Sequence, residues 1–311
     1  MQFNILINEI LVLFIIILIG YIIRKKNIID EEINKGFSRL LIQITLPALI
    51  IKSILRIELS QEIIKNLGLM TVISLLSYLT VIILASFISK RLNCFKDKKN
   101  IFKFLLVFGN VGYMGIPVVS AIFPAEAVVY TIINNIMFNI FLWTYGIHVL
   151  SVKSDREEKN NIQWRKLINH GTVALFIGFL VLITKINLGP VKGAIETVGN
   201  MTFPLSMIII GSSLTNVKFL TILKDRILYY VIFLKLLIIP FAALLLIKQL
   251  PLPELVASIS IIMLAMPSGA ISVIFAEKFD SDYKFASEGI FFTTLLSLFT
   301  IPLFIWLIKI F

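Results

Sequence analysis

The residues with the most unusual chemistry lie in an apolar run, F-G-N-V-G-Y-M-G-I-P, at positions 108–117. Glycine frees the backbone and proline removes a hydrogen-bond donor, so this run predicts a helix broken near Gly115–Pro117. Backbone groups freed inside a membrane must be buried in protein or hydrated. Asn110 lies two helical turns before Pro117 on the same face, so its amide is placed to bind a small anion at the opening.

A second break is predicted at M-P-S-G-A, where Pro267, Ser268 and Gly269 follow one another. If the two breaks meet, the positive ends of two half-helices converge on one polar site suited to a carboxylate. The alternative is a pair of simple proline kinks, which membrane helices tolerate. The predicted substrate-binding residues are Asn110, Gly112, Tyr113, Gly115, Pro117, Asn135, Asn139, Pro267, Ser268 and Gly269.

Other polar side chains within apolar runs each have two interpretations. Asn135 and Asn139 share a helix face and either line the site or hydrogen bond to another helix, and Asn134 is the less favoured neighbour. Glu288 is the candidate carboxyl for proton coupling, whereas snorkelling or pairing is the simpler explanation of the deep Lys235. Neither a metal site nor a cofactor is predicted, because the motifs H-E-x-x-H, C-x-x-C, P-loop and G-x-S-x-G do not occur.

The elements that must position these residues are membrane helices. The chain has 311 residues, of which 58% are hydrophobic and 15% charged, and its apolar residues form long blocks. This composition predicts an all-α integral membrane protein. The net charge of +11 is attributed to loops beside the lipid bilayer and not to nucleic-acid binding. Ten transmembrane spans are predicted, at roughly 5–23, 37–55, 67–89, 102–123, 126–150, 169–187, 190–214, 227–248, 254–277 and 285–308.

The spans divide into two halves of five. Residues 1–150 form the first predicted repeat, 151–168 a central cytoplasmic loop and 169–311 the second repeat. Thr45-Leu46-Pro47 in span 2 matches Thr202-Phe203-Pro204 in span 7, and an odd number of spans per half requires that the repeats be inverted. Most of the 29 lysines and arginines follow odd-numbered spans, which predicts a cell-membrane protein with both termini outside.

At G-N-V-G-Y-M-G-I-P (109–117) and M-P-S-G-A-I-S-V-I-F-A-E-K-F (266–279), the chain resembles the auxin efflux carrier family. That family lies within the superfamily that includes bile acid/sodium symporters, and the resemblance covers essentially the whole chain. It implies that broken helices 4 and 9 cross, with Asn110, Pro117 and Pro267 marking the crossover. Spans 1, 2, 6 and 7 would form a scaffold and a homodimer contact, and spans 3–5 and 8–10 would form a transport side that moves as an elevator.

The predicted function is therefore secondary transport of small organic anions, such as malate, malonate or auxin-like acids. A sodium-coupled symporter of the bile acid type is the alternative within transport, and a non-transporting receptor is a second. An intramembrane enzyme is disfavoured because it needs a converged nucleophile or metal, and the chain holds one cysteine, Cys94, and two histidines.

Overall fold

The computed structural model describes residues 3–58, 60–91, 98–151, 169–213, 215, 225–279 and 281–310. Cys94 and almost all of the predicted central loop lie outside these residues. The first-half helices are α1 (Phe3–Lys25), α2 (Glu31–Leu40), α3 (Leu46–Ile54), α4 (Gln61–Arg91), α5 (Lys99–Val107), α6 (Ile116–Ile122), α7 (Ala125–Phe141) and α8 (Ile147–Ser151). The second-half helices are α9 (His170–Thr184), α10 (Pro190–Asn200), α11 (Thr202–Ser213), α12 (Arg226–Phe233), α13 (Ile239–Ile247), α14 (Glu254–Ala265), α15 (Ile271–Lys278) and α16 (Tyr283–Ile310).

Helices cover all ten predicted spans, with ends that differ from the predicted ones by a few residues. Within the described ranges the chain contains no β-strand, and its one β-type pairing is an isolated bridge between Gly109 and Ser268. Six continuous helices there are long and apolar enough to cross a membrane: Glu31–Ile54, Gln61–Arg91, Ala125–Ser151, Pro190–Ser213, Arg226–Ile247 and Tyr283–Ile310. The fold is that of an all-helical, multi-pass membrane protein, and the ten-span inverted repeat stays a prediction.

Several helices begin at a polar residue that caps their first turn. The first amides of a helix lack an intrahelical partner, and a capping side chain supplies one. Asp30 accepts a hydrogen bond from Ile33 N at 2.7 Å at the start of α2, and Asp282 accepts one from Phe285 N at 2.9 Å in the first turn of α16. Asn169 forms a capping box with Thr172 at the start of α9. Polar caps thus mark the N-terminal ends of these helices.

Three prolines within spans are accommodated by a wide helical turn. The π-helical segments Leu41–Thr45, Val111–Gly115 and Leu234–Ile238 each precede a helix that has proline as its second residue, at Pro47, Pro117 and Pro240. Proline cannot donate the usual bond to the carbonyl four residues earlier. The preceding amide reaches one residue further instead, as Leu46 N does to Leu41 O. Each span therefore continues through its proline without a break.

The chain divides into two compact units. Unit 1 comprises Met1–Lys65, Gly112–Ile132 and Ile168–Asn216, and unit 2 comprises Asn66–Val111, Ile133–Leu167 and Val217–Phe311. This division follows the implied scaffold and transport sides except that Gly112–Ile132, within spans 4 and 5, belongs to unit 1. The chain passes from unit 2 to unit 1 directly after Val111.

Close contacts at glycines hold unit 1 together. A Cβ built on Gly20 of α1 would collide with Ile208 O of α11, and one on Gly211 would collide with Ile17 O of α1. These two helices therefore approach backbone to backbone, as small residues allow in membranes. At Gly178 of α9 the close neighbour is a side chain instead, because a Cβ there would lie 2.7 Å from Ile54 Cδ1.

Helix α5 lies at the centre of unit 2. It packs against α8, α12, α15 and α16. At one end of α5, Lys98 forms an ion pair with Asp225, which also caps α12 by accepting from Ile227 N. Along α5, a Cβ on Gly289 of α16 would lie 2.8 Å from Leu105 Cδ1. The other end of α5 leads into the interruption that carries the candidate site.

Candidate functional site

Two interruptions in unit 2 are hydrogen bonded to each other. The chain leaves helix at Phe108–Asn110, after α5, and at Met266–Ala270, between α14 and α15. Asn110 N donates to Pro267 O at 2.7 Å, and Gly269 N donates to Phe108 O at 2.9 Å. These two bonds form the antiparallel bridge between Gly109 and Ser268. Irregular backbone deep in a membrane protein is thus paired with other irregular backbone, which satisfies groups that lipid cannot.

The structure corrects one predicted boundary and agrees with the other. Span 9 is interrupted at Pro267–Gly269, as the sequence predicts. The prediction of an unwound link at Gly115–Pro117 was wrong, because the interruption lies at Phe108–Asn110 and Pro117 is in the first turn of α6. The π-helical turn before Pro117 accommodates the lack of a backbone donor at this proline, so the proline itself does not interrupt the helix.

Ser268 joins the second interruption to the neighbouring helices. Its side chain is fully buried, and its Oγ donates to Leu105 O of α5 at 2.9 Å. Its amide donates to Thr293 Oγ1 of α16 at 3.1 Å, and that hydroxyl donates in turn to Gly289 O at 2.6 Å. Both hydrogen-bond donors of Ser268 are therefore engaged in holding the interruption in place.

An aromatic cluster anchors the other interruption. The Phe108 ring lies 4.5 Å from the Phe104 ring and 5.6 Å from that of Phe138 on α7, measured between centroids. Phe138 lies one residue before Asn139 and three after Asn135 on α7. The Asn139 side chain donates to Asn135 O at 2.8 Å and to Asn135 Oδ1 at 3.2 Å. The predicted asparagine pair is thus formed, within one helical turn of a residue that contacts Phe108.

Asn110 is the predicted site residue that lies at the interruptions with an amide side chain. It is 9% exposed, and its backbone amide, not its side chain, makes the bond to Pro267. Gly112, Tyr113, Gly115 and Pro117 follow it in sequence but belong to unit 1. Unit 2 therefore brings together Asn110, Pro267, Ser268 and Gly269, with Asn135 and Asn139 on the adjoining helix.

Two other polar residues have different surroundings. Asn134 is buried and its Nδ2 donates to Ser74 Oγ of α4 at 3.0 Å, which is a contact between helices. Glu288 is half-buried in α16, and the charges that act on it are those of Lys98, Asp225 and Asp282. Glu288 thus belongs with the charged residues at the start of α5, α12 and α16.

Lys235 has a role that the sequence did not reveal. Snorkelling to the membrane surface is wrong for this residue, because its side chain is 2% exposed and Nζ donates to Leu106 O at 3.0 Å. A Cβ on Gly109 would lie 3.3 Å from this ammonium. Its isolated position eight residues into an apolar span was a usable signal, but its target on α5 could not be read from local sequence.

The chain is similar to known membrane transport proteins over nearly its whole length. A family model described as membrane transport protein matches residues 5–305. An uncharacterized transporter of Methanocaldococcus jannaschii is 27% identical over 313 residues, covering 97% of this chain and 98% of that protein. An uncharacterized transporter of Methanothermobacter thermautotrophicus is 26% identical over 297 residues, covering 95% of this chain and 96% of that protein.

Proposed function

Because the chain belongs to the membrane transport protein family, the auxin efflux carriers that its motifs resemble, we propose that it is a secondary carrier of small organic anions. The family is one of transporters and not a class of enzymes. Malate, malonate and auxin-like acids are the first substrates to test. The observation that carries the proposal is the pairing of two interruptions through Asn110 N–Pro267 O and Gly269 N–Phe108 O.

Two features beside the paired interruptions support carboxylate binding. Helix α15 begins at Ile271, immediately after the interruption, so the positive end of its dipole lies beside Ser268 and Gly269. Discontinuous helices of this kind form anion sites near the midplane of many carriers. The Asn110 side chain is free of any role in the backbone bridge and is the proposed donor to the substrate. Asn135 and Asn139 would extend the polar lining from α7.

The two compact units support an elevator mechanism, in which one body carries the substrate and the other stays fixed. Each unit is built from segments of both halves of the chain. The paired interruptions lie wholly in unit 2, so unit 2 is the proposed moving body. Unit 1 would then serve as the scaffold and as the contact in a homodimer. Such motions are described as rigid-body rearrangements of one bundle against another.

The experiment is flux of labelled malate, malonate and an indole acid into proteoliposomes that contain the purified protein. Asn110→Ala keeps the backbone amide and removes the side chain, so we expect at least about a tenfold loss of substrate flux or affinity. The matched control is Asn187→Ala in an exposed turn, which should transport like the wild type. Asn110→Ala with wild-type flux at equal reconstitution would remove this residue from the site.

Coupling is tested in the same vesicles. Flux is compared under a sodium gradient, a proton gradient and neither, with Glu288→Gln as the proton-coupling variant. A proton-driven flux that Glu288→Gln uncouples supports the proposed coupling, and a sodium-driven flux supports the symporter of the bile acid type. Binding without any flux would instead make the protein a receptor, and neither binding nor flux would overturn the proposal.

A further inference from the structure

Lys235 places its side-chain amine inside unit 2, and no carboxylate of the described residues pairs with it. The residue lies in the π-helical turn Leu234–Ile238, is 2% exposed and donates from Nζ to Leu106 O at 3.0 Å. Within the described residues, no Asp or Glu oxygen pairs with this ammonium. A buried charge left without a counter-ion is costly, so its retention calls for a reason.

The ionisable residues described on the helices packed against this turn do not neutralise the Lys235 ammonium. These helices are α5, α12, α13, α14 and α16. Their ionisable side chains are Lys99, Lys103, Arg226, Tyr229, Tyr230, Glu254, Tyr283, Lys284, Glu288 and Lys309. In the described structure none of the carboxylates among them forms an ion pair with Lys235. The compensation comes from the backbone, because the C-terminal end of α5 is the negative end of a helix dipole.

The ammonium is also next to the paired interruptions. Its target, Leu106, lies two residues before Phe108, where the chain leaves helix. A Cβ on Gly109 would lie 3.3 Å from Nζ and 3.5 Å from Met266 Cβ. In carriers the C-terminal ends of half-helices attract cations. In this protein the side-chain ammonium of Lys235 lies at such an end, beside the residue that precedes Asn110.

We propose that Lys235 determines the charge specificity of the site: its ammonium is a tethered cation that favours anionic substrates at the paired interruptions. The inference rests on the proposed function, because it assigns a preference among substrates of that site. It also gives a reason for the buried charge, since an internal cation that costs stability is retained where it favours the ligand.

The test uses Lys235→Met, which removes the charge and leaves an unbranched apolar side chain that is one heavy atom shorter. Lys248→Met is the matched control, because Lys248 Nζ also donates to a backbone carbonyl, Ile308 O at 2.9 Å, but at the end of its helix. Apparent affinities are measured for a dicarboxylate, its monoamide and its neutral diamide by thermal stabilisation and by flux. Melting temperatures are measured without substrate.

We expect Lys235→Met to melt close to the wild-type temperature, because removal of a buried charge offsets the loss of the hydrogen bond from Nζ to Leu106 O. Its affinity should fall by about tenfold or more per negative charge of the substrate, since charges interact strongly in a low dielectric. The neutral diamide should be unaffected, and Lys248→Met should keep the wild-type preference. The loss would thus be graded by substrate charge.

Two results would overturn the inference. A melting temperature far below that of Lys248→Met would make Lys235 a structural residue. An equal loss for the charged and neutral substrates, or no loss, would remove it as the source of charge preference. A wild-type protein that binds and moves no carboxylate would be a different outcome, because it overturns the proposed function itself.

Discussion

At the scale of single residues, Gly269 shows how little space the paired interruptions leave. A Cβ at this position would lie 3.0 Å from Gly109 O and 3.4 Å from Phe108 O. The second of these carbonyls accepts the hydrogen bond from Gly269 N, and the first is the one that a side chain would crowd. Glycine therefore favours the close approach of the two backbone segments here.

Replacing Gly269 by valine should separate the interruptions. We expect Gly269→Val to lose substrate binding and to unfold at a lower temperature, with about 1–3 kcal/mol of destabilisation as for an overpacked core. Thermal unfolding of the purified protein, followed by substrate-induced stabilisation, measures both effects. The control is Gly68→Ala in α4, where a Cβ meets no atom within 4 Å. Wild-type binding by Gly269→Val would contradict the importance of this pairing.

At the scale of helices, the sequence predicted the helices better than it predicted the positions at which two of them are interrupted. Proline and glycine marked both broken spans, and the interruption at Pro267–Gly269 lies where expected. The other lies at Phe108–Asn110 because its position depends on hydrogen bonds to Pro267 and Gly269, which are distant in sequence. Local sequence alone was enough to select Asn110 and the pair Asn135 and Asn139 as candidate site residues. The contact of Lys235 with Leu106 could be seen only in the packed fold.

The packing of α16 on α5 gives a test at this scale. Gly289→Leu should clash with Leu105, because a Cβ alone would lie 2.8 Å from Leu105 Cδ1. We expect a loss of about 1–3 kcal/mol, measured by thermal or denaturant unfolding in detergent. The double variant Gly289→Leu with Leu105→Ala exchanges the volume between the two helices and should recover much of that loss. Additive losses in the double variant would show that the two residues are not coupled.

At the scale of the whole molecule, each compact unit draws on both halves of the chain. Unit 1 joins α1–α3 to α9–α11, and unit 2 joins most of α4 and α5 to α12–α16. The predicted repeats at 1–150 and 169–311 describe the order of the chain, and the units describe how it packs. No local sequence pattern could assign Gly112–Ile132 to unit 1, because that assignment depends on packing of α6 against α1 and α11.

The two units should lose stability independently. Gly211→Leu should force α11 away from Ile17 of α1, so unit 1 should lose protection of its amides while unit 2 keeps it. Hydrogen exchange read by mass spectrometry, peptide by peptide, measures this. The matched control is Gly193→Leu in α10 of the same unit, where a Cβ meets no atom within 4 Å. Equal loss of protection in both units would mean that they unfold together.

The backbone contact between α1 and α11 also has a consequence for biosynthesis, because the two helices are synthesised far apart in time. Gly20 and Gly211 are about 190 residues apart, so at about 5–20 residues per second the ribosome needs roughly 10–40 s to deliver the partner of the first helix. During that interval α11, which contacts α1 around Gly20, has not yet been synthesised. Until α11 is made, the surface of nascent α1 around Gly20 faces lipid or the insertion machinery.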